Sequence, residues 1–198
     1  MLIKRVFDFV AALIGLVVLA PLFALVACWI KYDSPGPVFF LQQRVGHNGV
    51  PFRIFKFRTM TVDTEANGQI TVGNDRRITH AGAVLRRYKI DELPQLINVL
   101  LGEMSLVGPR PEVPRYVACY PKEVRDIVLS VPPGITDWAS IEYKEESKIL
   151  GMAPDSERTY IDVVLPAKLE YYVRYVRERS FLTDLRIIFS TLLAIVRQ

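Results

Sequence analysis

Residues 85–95 read Leu85-Arg86-Arg87-Tyr88-Lys89-Ile90-Asp91-Glu92-Leu93-Pro94-Gln95, and they place two adjacent carboxylates where a helix should begin. Apolar residues follow at the three- and four-residue spacing of a helix, namely Leu93, Leu96, Ile97, Leu100 and Leu101. Proline is accepted only in the first turn of a helix, so Pro94 sets the start near Asp91. The pattern therefore predicts that Asp91 is the N-cap of this helix.

A carboxylate at an N-cap has two interpretations. It faces unpaired backbone N–H groups and the positive end of the helix dipole, which stabilise its ionised form and also attract phosphate oxygens. An ionised aspartate beside a phosphate site can act as a nucleophile, as in enzymes that pass through an acyl phosphate. Asp-Glu at a helix start is equally an ordinary capping pattern, so these residues alone leave both interpretations open.

The composition describes a basic and unusually apolar chain. Its 198 residues suffice for one domain with a hydrophobic core, or for a compact domain with an anchor. The formal net charge is +4 and 51% of the residues are hydrophobic, which together favour an anionic membrane surface as partner. We expect no nucleic-acid partner, because no module interleaves basic and aromatic residues. The two cysteines, Cys28 and Cys119, predict no disulfide framework.

An uncharged run covers residues 9–30. As a straight helix it would measure about 33 Å, enough to cross a bilayer core. Pro21 lies near its middle and predicts a bend after Ala20, which leaves two arms of roughly 15 to 18 Å. Basic residues flank both ends and favour the cytoplasmic side for both: Lys4, Arg5 and Lys31. We therefore predict a re-entrant membrane helix over residues 1–32, kinked at Ala20 and Pro21.

Two other interpretations fit the same run. A straight, tilted membrane-spanning helix also tolerates a proline. Leu25-Val26-Ala27-Cys28 resembles the cleavage site of bacterial lipoproteins, which would remove the run and place the remaining chain outside the cell. Pro21 interrupts the apolar core just before that site, which argues against the lipoprotein.

Residues 33–60 predict a turn and two short strands, at 38–41 and 51–60. On the second strand Lys56 and Arg58 share one face, where they either extend into solvent from an edge strand or face an anionic substrate. Residues 64–77 are polar and predict a surface loop that folds over the site.

Proline flanks Arg110 on both sides in the loop Gly108-Pro109-Arg110-Pro111. Because the prolines fix φ, a guanidinium held there loses little entropy when it binds two phosphate oxygens. Pro-Arg-Pro is equally a simple turn into a helix over 113–130. Farther on, Pro166 can start a helix that runs to Arg179, and the apolar residues 181–196 predict an interfacial or core helix, too short to span a bilayer.

Four motifs follow one another along the chain. They read Lys56-Phe57-Arg58-Thr59-Met60, then Leu85-Arg86-Arg87 with Asp91-Glu92-Leu93-Pro94-Gln95-Leu96-Ile97-Asn98-Val99-Leu100, then Gly102-Glu103-Met104-Ser105-Leu106-Val107-Gly108-Pro109-Arg110-Pro111, and Pro133-Gly134-Ile135-Thr136. Their order and length resemble the bacterial sugar transferase family. The chain is similar, over nearly its whole length, to the small monotopic phosphoglycosyl transferases of that family.

The resemblance implies transfer of a phosphosugar from a UDP-sugar to a membrane polyprenol phosphate, with Mg²⁺ as cofactor and release of UMP. Such a reaction initiates the assembly of O-antigen, capsule, exopolysaccharide or glycoprotein glycans. It would take place at the cytoplasmic face of the bacterial inner membrane, in contact with membrane lipid. The resemblance leaves a homodimer open.

The resemblance also implies roles for individual residues. Asp91 matches the nucleophile, which attacks the β-phosphorus of the donor to give a phosphosugar-aspartyl intermediate. Glu92 matches the second acidic residue, which helps with Mg²⁺ or with proton handling, so that Asp91 and Glu92 are the expected metal ligands. The cations expected to contact substrate phosphates are Lys56, Arg58, Arg86 and Arg110.

The sequence departs from the family pattern in two places. After Pro-Gly-Ile-Thr, family members commonly continue with Gly and end with Gln, whereas this chain has Asp137-Trp138-Ala139-Ser140. Asp137 and Ser140 therefore either alter contacts to the sugar or nucleotide, or are a structural variant. At the apex of the predicted hairpin, Ala20 stands where a serine is common.

We predict an α/β protein, α-rich with a small β element, in which the re-entrant helix 1–32 anchors a cytoplasmic catalytic domain over 33–198. A rival function is a non-catalytic membrane scaffold that binds anionic lipid or a partner enzyme, for which Asp91→Asn would leave function intact. A second rival is the lipoprotein, whose signature would be lipid on Cys28.

Overall fold

The computed structural model describes residues 2–61, 75, 77–144 and 146–196. It is mostly helical with two small sheets, which agrees with the predicted α-rich α/β class. The helices are α1 (Leu2–Asp33), α2 (His80–Arg87), α3 (Gln95–Leu101), α4 (Pro114–Val117), α5 (Lys122–Val128), α6 (Trp138–Glu142), α7 (Glu146–Gly151), α8 (Ser156–Thr159), α9 (Leu165–Glu178) and α10 (Phe181–Val196). The strands are β1 (Phe39–Val45), β2 (Pro51–Phe57), β3 (Ser105–Val107) and β4 (Gly134–Thr136). Most of the loop predicted at 64–77 lies outside the described residues.

Helix α1 is long and apolar enough to cross a membrane, and it continues through Pro21. Its buried residues fall in two groups, Asp8 and Ala12 near the start and Val26 and Ile30 near the end. Ala12 packs against Val99 and Met104, whereas Val26 and Ile30 pack against Phe57 and Leu85. Both ends of α1 therefore contact the rest of the chain, and residues 13–25 between them include no buried residue.

The first sheet is an antiparallel hairpin in which β1 pairs with β2 from Phe39↔Phe57 to Val45↔Pro51. The first strand extends to Val45, beyond the predicted 38–41, because residues 42–45 pair with 51–54. The second strand ends at Phe57 and not at residue 60. Arg58, just past its end, donates instead to the carbonyls of Ser34 and Pro37 in the turn after α1.

The second sheet is a parallel pair, β3 with β4, which brings the 108–111 loop against the Pro-Gly-Ile-Thr motif. A Cβ atom on Gly134 would lie only 2.0 Å from the backbone nitrogen of Gly108. A Cβ atom on Gly108 would lie 2.6 Å from the Pro132 carbonyl oxygen. Glycine is thus required at both positions for the two motifs to meet.

The predicted helix over 113–130 is two short helices, α4 and α5. Pro121 explains the break, since it has no N–H to donate and disfavours helical φ and ψ at Tyr120. Gly102 ends α3 with a φ of 88°, as its sequence position predicted. Helices α9 and α10 match the predicted segments within one residue.

Candidate active site

Asp91 lies inside a 3₁₀ turn, Ile90–Glu92, and not at a helix N-cap. Lys89 precedes the turn in the left-handed conformation, with φ 58°, and the chain then keeps helical φ and ψ through Leu93 and Pro94 into α3. The predicted N-cap was therefore wrong. The abrupt reversal at Lys89 starts the turn directly, so no extended residue is left to act as a cap.

The Asp91 carboxylate is buried and incompletely paired. The residue is 8% exposed, and its Oδ1 atom is buried without a hydrogen-bond partner. Burial raises the pKa of Asp91, the neighbouring Glu92 charge raises it further, and the cations Lys56, Arg86 and Lys89 oppose the rise. An N-cap position would lower the pKa of Asp91 instead, because a capping carboxylate is stabilised in its ionised form.

Glu92 is paired on both oxygens. Its Oε1 accepts hydrogen bonds from Lys56 Nζ at 2.8 Å and from Arg110 Nη2, and its Oε2 accepts from Arg110 Nη1 at 3.1 Å. Burial acts to raise the pKa of Glu92, but Arg110 and then Lys56 outweigh it and hold that pKa well below its usual range. Glu92 is thus the ionised centre of a cluster with Lys56 and Arg110, here called the Glu92 ion cluster.

The loop that carries Arg110 is held from both sides. On the β4 side, Gly134 N donates to the Pro109 carbonyl at 2.9 Å, and Gly108 N donates to the Thr136 carbonyl at 3.1 Å. On the β1 side, Arg44 Nη1 donates to the Pro111 carbonyl at 3.0 Å. The backbone on each side of Arg110 is therefore fixed before any ligand binds.

The two remaining predicted cations differ in their surroundings. Arg86, in the last turn of α2, is half-buried and acts electrostatically on Asp91, and its side chain makes no hydrogen bond or ion pair with any residue that the structure describes. Arg58 is 5% exposed and donates to the carbonyls of Ser34, Pro35 and Pro37 at 2.6 to 2.8 Å. Arg58 therefore fixes the turn after α1, and its predicted contact with substrate stays a prediction.

Asp91 and Glu92 differ as candidate magnesium ligands. In proteins Mg²⁺ keeps several waters and is commonly bound by one or two carboxylates together with substrate phosphates. The Asp91 carboxylate accepts no hydrogen bond and forms no ion pair within the described residues, which fits that role, whereas both oxygens of Glu92 are occupied by cations. Within the described residues, no group of three or more His, Cys, Asp or Glu side chains is placed to hold a metal ion.

Asp137 and Ser140 have a structural explanation. Asp137 is the N-cap of α6, where its carboxylate accepts from Ser140 N at 2.9 Å and from Ser140 Oγ at 2.6 Å. Burial raises the pKa of Asp137, while the bonds from Ser140 oppose that rise. Of the two explanations that the sequence left open, the geometry favours the structural variant.

Sequence reasoning missed Gln95 as a site residue. Its side chain is 1% exposed, and neither its oxygen nor its nitrogen has a hydrogen-bond partner. It follows Asp91 by four residues in the same helical segment, and closeness in the chain is the signal that the sequence offers.

Similarity to known proteins covers the whole chain. Residues 1–198 match the Bacterial sugar transferase family. The chain is 40% identical over 197 residues to the UDP-N-acetylgalactosamine-undecaprenyl-phosphate N-acetylgalactosaminephosphotransferase of Aeromonas hydrophila, a match that covers 98% of this chain and 44% of that protein. It is 38% identical over 195 residues to the UDP-glucose:undecaprenyl-phosphate glucose-1-phosphate transferase of Escherichia coli (strain K12), covering 96% of this chain and 39% of the relative.

A third relative is closer to this chain in length. The exopolysaccharide production protein ExoY of Rhizobium meliloti (strain 1021) is 35% identical over 208 residues, which cover 97% of this chain and 84% of ExoY. The chain thus spans less than half of the Aeromonas and Escherichia relatives but most of ExoY. With the family match extending from the first residue to the last, the chain belongs to the bacterial sugar transferase family.

Proposed function

We propose that this protein transfers a phosphosugar from a UDP-sugar to undecaprenyl phosphate or a similar polyprenol phosphate, and so initiates the assembly of a glycan. One observation carries the proposal: a buried carboxylate with an unpaired oxygen, Asp91, lies next to the cations of the Glu92 ion cluster. Buried polar atoms normally have partners, so an orphaned carboxylate oxygen is a candidate reacting group.

The proposed reaction has two displacements. An oxygen of Asp91 attacks the β-phosphorus of the donor, and the bond from that phosphorus to the bridging oxygen breaks, so that UMP leaves with the electron pair. A phosphate oxygen of the polyprenol phosphate then attacks the same phosphorus and releases the Asp91 carboxylate. The covalent intermediate allows a water-soluble donor to leave before a lipid acceptor arrives at the same site.

The cations around Asp91 would lower the repulsion between a carboxylate and a diphosphate. Lys56 and Arg110 are held in place by Glu92, and Arg86 makes no ion pair within the described residues and is available to a phosphate. Prearranged charges of this kind stabilise a transition state without reorganisation during the reaction. Glu92 acts in this proposal by holding Lys56 and Arg110.

Magnesium is part of the proposal. When bound, Mg²⁺ would neutralise charge on the donor diphosphate, and Asp91 offers it a carboxylate that is free of hydrogen bonds and ion pairs within the described residues. For Glu92 to become a ligand, as the resemblance implies, it would have to give up a bond to Lys56 or Arg110.

We propose that α1 enters the cytoplasmic leaflet of the inner membrane and returns. Two contacts support this topology: Lys4 Nζ near the start of α1 donates to Asp184 in α10, and Ile30 near its end packs with Phe57 and Leu85. A spanning helix would place these two ends on opposite sides of the bilayer, although they contact the same folded chain. Cleavage before Cys28 would remove Asp8, Ala12 and Val26 from the core, which argues against the lipoprotein.

The membrane-facing surface would combine α1 and α10. The rings of Phe7 in α1 and Phe181 in α10 meet edge to face at 5.2 Å, which joins the two helices. Large apolar side chains on both helices are exposed: Val10, Leu13, Ile14, Val17, Val18 and Leu25 on α1, and Leu182, Leu185, Phe189, Leu192 and Leu193 on α10. A surface of this extent is typical of a membrane contact.

The activity is tested by a single-turnover assay with UDP-sugars radiolabelled in the sugar, in the presence of Mg²⁺ and without polyprenol phosphate. The relatives are named for N-acetylgalactosamine and for glucose, so both donors belong in the panel. We expect label on the peptide that contains Asp91, and we expect polyprenol phosphate to remove it. Folded, membrane-inserted protein that neither takes up label nor releases UMP when polyprenol phosphate is added would favour the non-catalytic scaffold.

The topology is tested by single cysteines at the two ends of α1, introduced as Ile3→Cys and Tyr32→Cys after the native Cys28 and Cys119 have been replaced. Both positions are exposed, at 77% and 93%. A membrane-impermeant maleimide should label both from the cytoplasmic side and neither from the other. Labelling from opposite sides would establish a spanning helix.

A further inference from the structure

Gln95 is a buried amide without hydrogen bonds. The side chain is 1% exposed, and both Oε1 and Nε2 lack a partner. A buried polar group left unpaired is costly because its lost hydration is not replaced, so native proteins retain few such groups, and each calls for an explanation.

Asn98, in the same helix, shows how a structural amide is satisfied. It is 0% exposed, its Oδ1 accepts from Phe55 N at 3.0 Å, and its Nδ2 donates to the Arg53 carbonyl at 2.8 Å and to Glu103 at 2.7 Å. These bonds join α3 to β2. The interior around α3 therefore can satisfy an amide, and the lack of partners at Gln95 is specific to that position.

The orphaned atoms of Gln95 and of Asp91 belong to one short helical segment. Backbone φ and ψ are helical from the turn at Ile90–Glu92 through Leu93 and Pro94 into α3. The hydrogen bond from Leu93 N to the Ile90 carbonyl spans three residues, so the segment begins with 3₁₀ character. Asp91 Oδ1, Gln95 Oε1 and Gln95 Nε2 are thus three buried, unpaired atoms within five consecutive residues.

We propose that Gln95 is a positioning residue for the reacting aspartate, whose side-chain N–H donates to Oδ1 of Asp91 once the donor is bound and so directs Oδ2 at the β-phosphorus. The inference rests on the proposed function. The two side chains are not bonded to each other in the structure, and catalytic hydrogen bonds often form only in the substrate complex.

The two oxygens of Asp91 have different surroundings, which suit Oδ1 as the hydrogen-bond acceptor and Oδ2 as the attacking atom. Oδ1 is fully buried, whereas Oδ2 does not share that complete burial and is the oxygen a substrate can reach. In the first displacement the bond from Oδ2 to phosphorus forms as the bond to the UMP oxygen breaks, and Oδ1 becomes the carbonyl oxygen of the acyl phosphate. Oδ1 accepts the Gln95 hydrogen bond both before and after that step, so no proton has to move.

The charged groups around Asp91 do not fix the orientation of its carboxylate. Lys56, Arg86, Lys89 and Glu92 act on it electrostatically, and none of them donates a hydrogen bond to it. A charge at a distance lowers repulsion but does not select one rotamer of a carboxylate, whereas a hydrogen bond from an amide does. Misplacement of a reacting group by about 1 Å can cost on the order of 100-fold in rate.

The test is Gln95→Met in the full chain, in the membrane-mimetic used for wild type. Methionine keeps the length and the burial but removes the amide. We expect the labelling rate at saturating donor to fall about 10- to 100-fold, with the half-saturating donor concentration unchanged. We expect the melting temperature to stay the same or rise, because the lost amide made no hydrogen bond.

Matched variants keep the outcome interpretable. Gln43→Met, at an exposed glutamine in β1, should label at the wild-type rate. Gln95→Glu keeps length and polarity but replaces the amide donor, so its labelling should also be slow, which preserves the test if Gln95→Met does not fold. Wild-type labelling in a folded Gln95 variant would overturn the inference, as would a loss of rate that follows a loss of folded protein. Failure of wild-type protein to label at all would remove the proposed function itself.

Discussion

Two buried polar clusters in this molecule differ in how completely they are paired. The first, here called the α1–α10 clamp, joins the start of α1 to β3, α9 and α10. Lys4 Nζ donates to Asp184 at 2.5 Å, Tyr175 donates to the other oxygen of Asp184 at 2.8 Å, and Ser105 Oγ donates to Asp8 at 2.8 Å. Every carboxylate of the clamp has a protein partner.

The second cluster surrounds Asp91, where Glu92 is fully paired but Asp91 Oδ1 and the Gln95 amide are not. Both clusters are buried, so both were desolvated on folding. In the clamp the protein itself compensates for that cost, whereas at Asp91 Oδ1 and Gln95 no hydrogen bond within the described residues does so. Substitutions in the clamp should therefore lower stability, and substitutions at the unpaired atoms should lower activity.

The largest effect should come from Asp91→Asn. Removal of a nucleophile typically costs on the order of 10⁴- to 10⁶-fold, so single-turnover labelling should become undetectable. Because the pKa of Asp91 is raised in the folded state, folding loses stability as the pH rises from the ordinary carboxyl pKa towards that raised value. At neutral pH the asparagine variant should thus be at least as stable as wild type. Urea unfolding at pH 7 measures this, and Asp126→Asn on the exposed face of α5 is the control.

Retention of sugar label in Asp91→Asn would contradict the assignment of the nucleophile. A large loss of stability in the same variant would contradict the comparison, since it would mean that Asp91 is structural in the way that Asp184 is.

The second prediction concerns Glu92→Gln, which leaves Lys56 and Arg110 without their carboxylate. Breaking a buried ion pair costs about 3 to 5 kcal/mol, and the free energy of unfolding should fall by that amount at pH 7. The folded-state pKa of Glu92 lies below its unfolded value, so its contribution is present above the unfolded pKa and is lost as the pH falls through the folded one. The gap between variant and wild type should therefore shrink in acid.

An exposed ion pair supplies the control for Glu92. Glu178 pairs with Arg174 one turn earlier on α9, and both side chains are more than half exposed. Glu178→Gln should change the free energy of unfolding by no more than about 1 kcal/mol, at any pH. Equal effects of the two substitutions would show that the Glu92 ion cluster is as weak as a surface pair.

The third prediction concerns Lys4→Met in the clamp. It removes the hydrogen-bond donor to the buried carboxylate of Asp184 and the cation 3.9 Å from Asp8, which should lower the free energy of unfolding by about 1 to 3 kcal/mol. The labelling rate per folded molecule should stay within about twofold of wild type. For Gln95→Met we expect the reverse, a slower labelling rate without a loss of stability. Lys31→Met, at the exposed end of α1, is the matched control and should change neither quantity. Slow labelling by folded Lys4→Met would show that the two clusters are coupled.

The comparison also separates what the sequence could predict from what it could not. Helical spacing correctly predicted α3, the stop at Gly102 and the last two helices, because each depends on residues close in the chain. The N-cap prediction for Asp91 failed because nothing in the local pattern revealed a left-handed Lys89. Lys56 and Arg58 alternate on one strand face in the sequence, yet only Lys56 reaches the carboxylates, since the strand ends before Arg58.

Contacts between distant residues were beyond pattern reasoning. Glu92 lies 36 residues from Lys56 and 18 from Arg110, and Lys4 lies 180 from Asp184. Burial without a partner, as at Gln95, depends on every neighbouring element, so periodicity shows only that the position faces inward. The family resemblance supplied the expected roles of Asp91, Glu92 and Arg110, which stay predictions, and it did not indicate that Glu92 is occupied by two cations.

The smallest effect should come from Asp137→Ala. It tests whether a paired carboxylate close to Arg110 contributes to stability and not to activity, as we expect for the carboxylates of the clamp. Loss of an N-cap costs about 0.5 to 2 kcal/mol, and α6 should be destabilised by that amount. Asp137→Asn keeps an acceptor for Ser140 N and should recover most of the loss, as measured by urea unfolding. The order of preference among UDP-sugars in the labelling assay should be the same in both variants.

A changed order of sugar preference would contradict this assignment. Asp137 acts electrostatically on Arg110, and Arg110 belongs to the Glu92 ion cluster, so proximity alone would allow a role in donor recognition. Hydrogen bonding opposes that role, because both carboxylate oxygens of Asp137 already accept from Ser140. A sugar hydroxyl would have to compete with two intramolecular donors for an almost fully buried group.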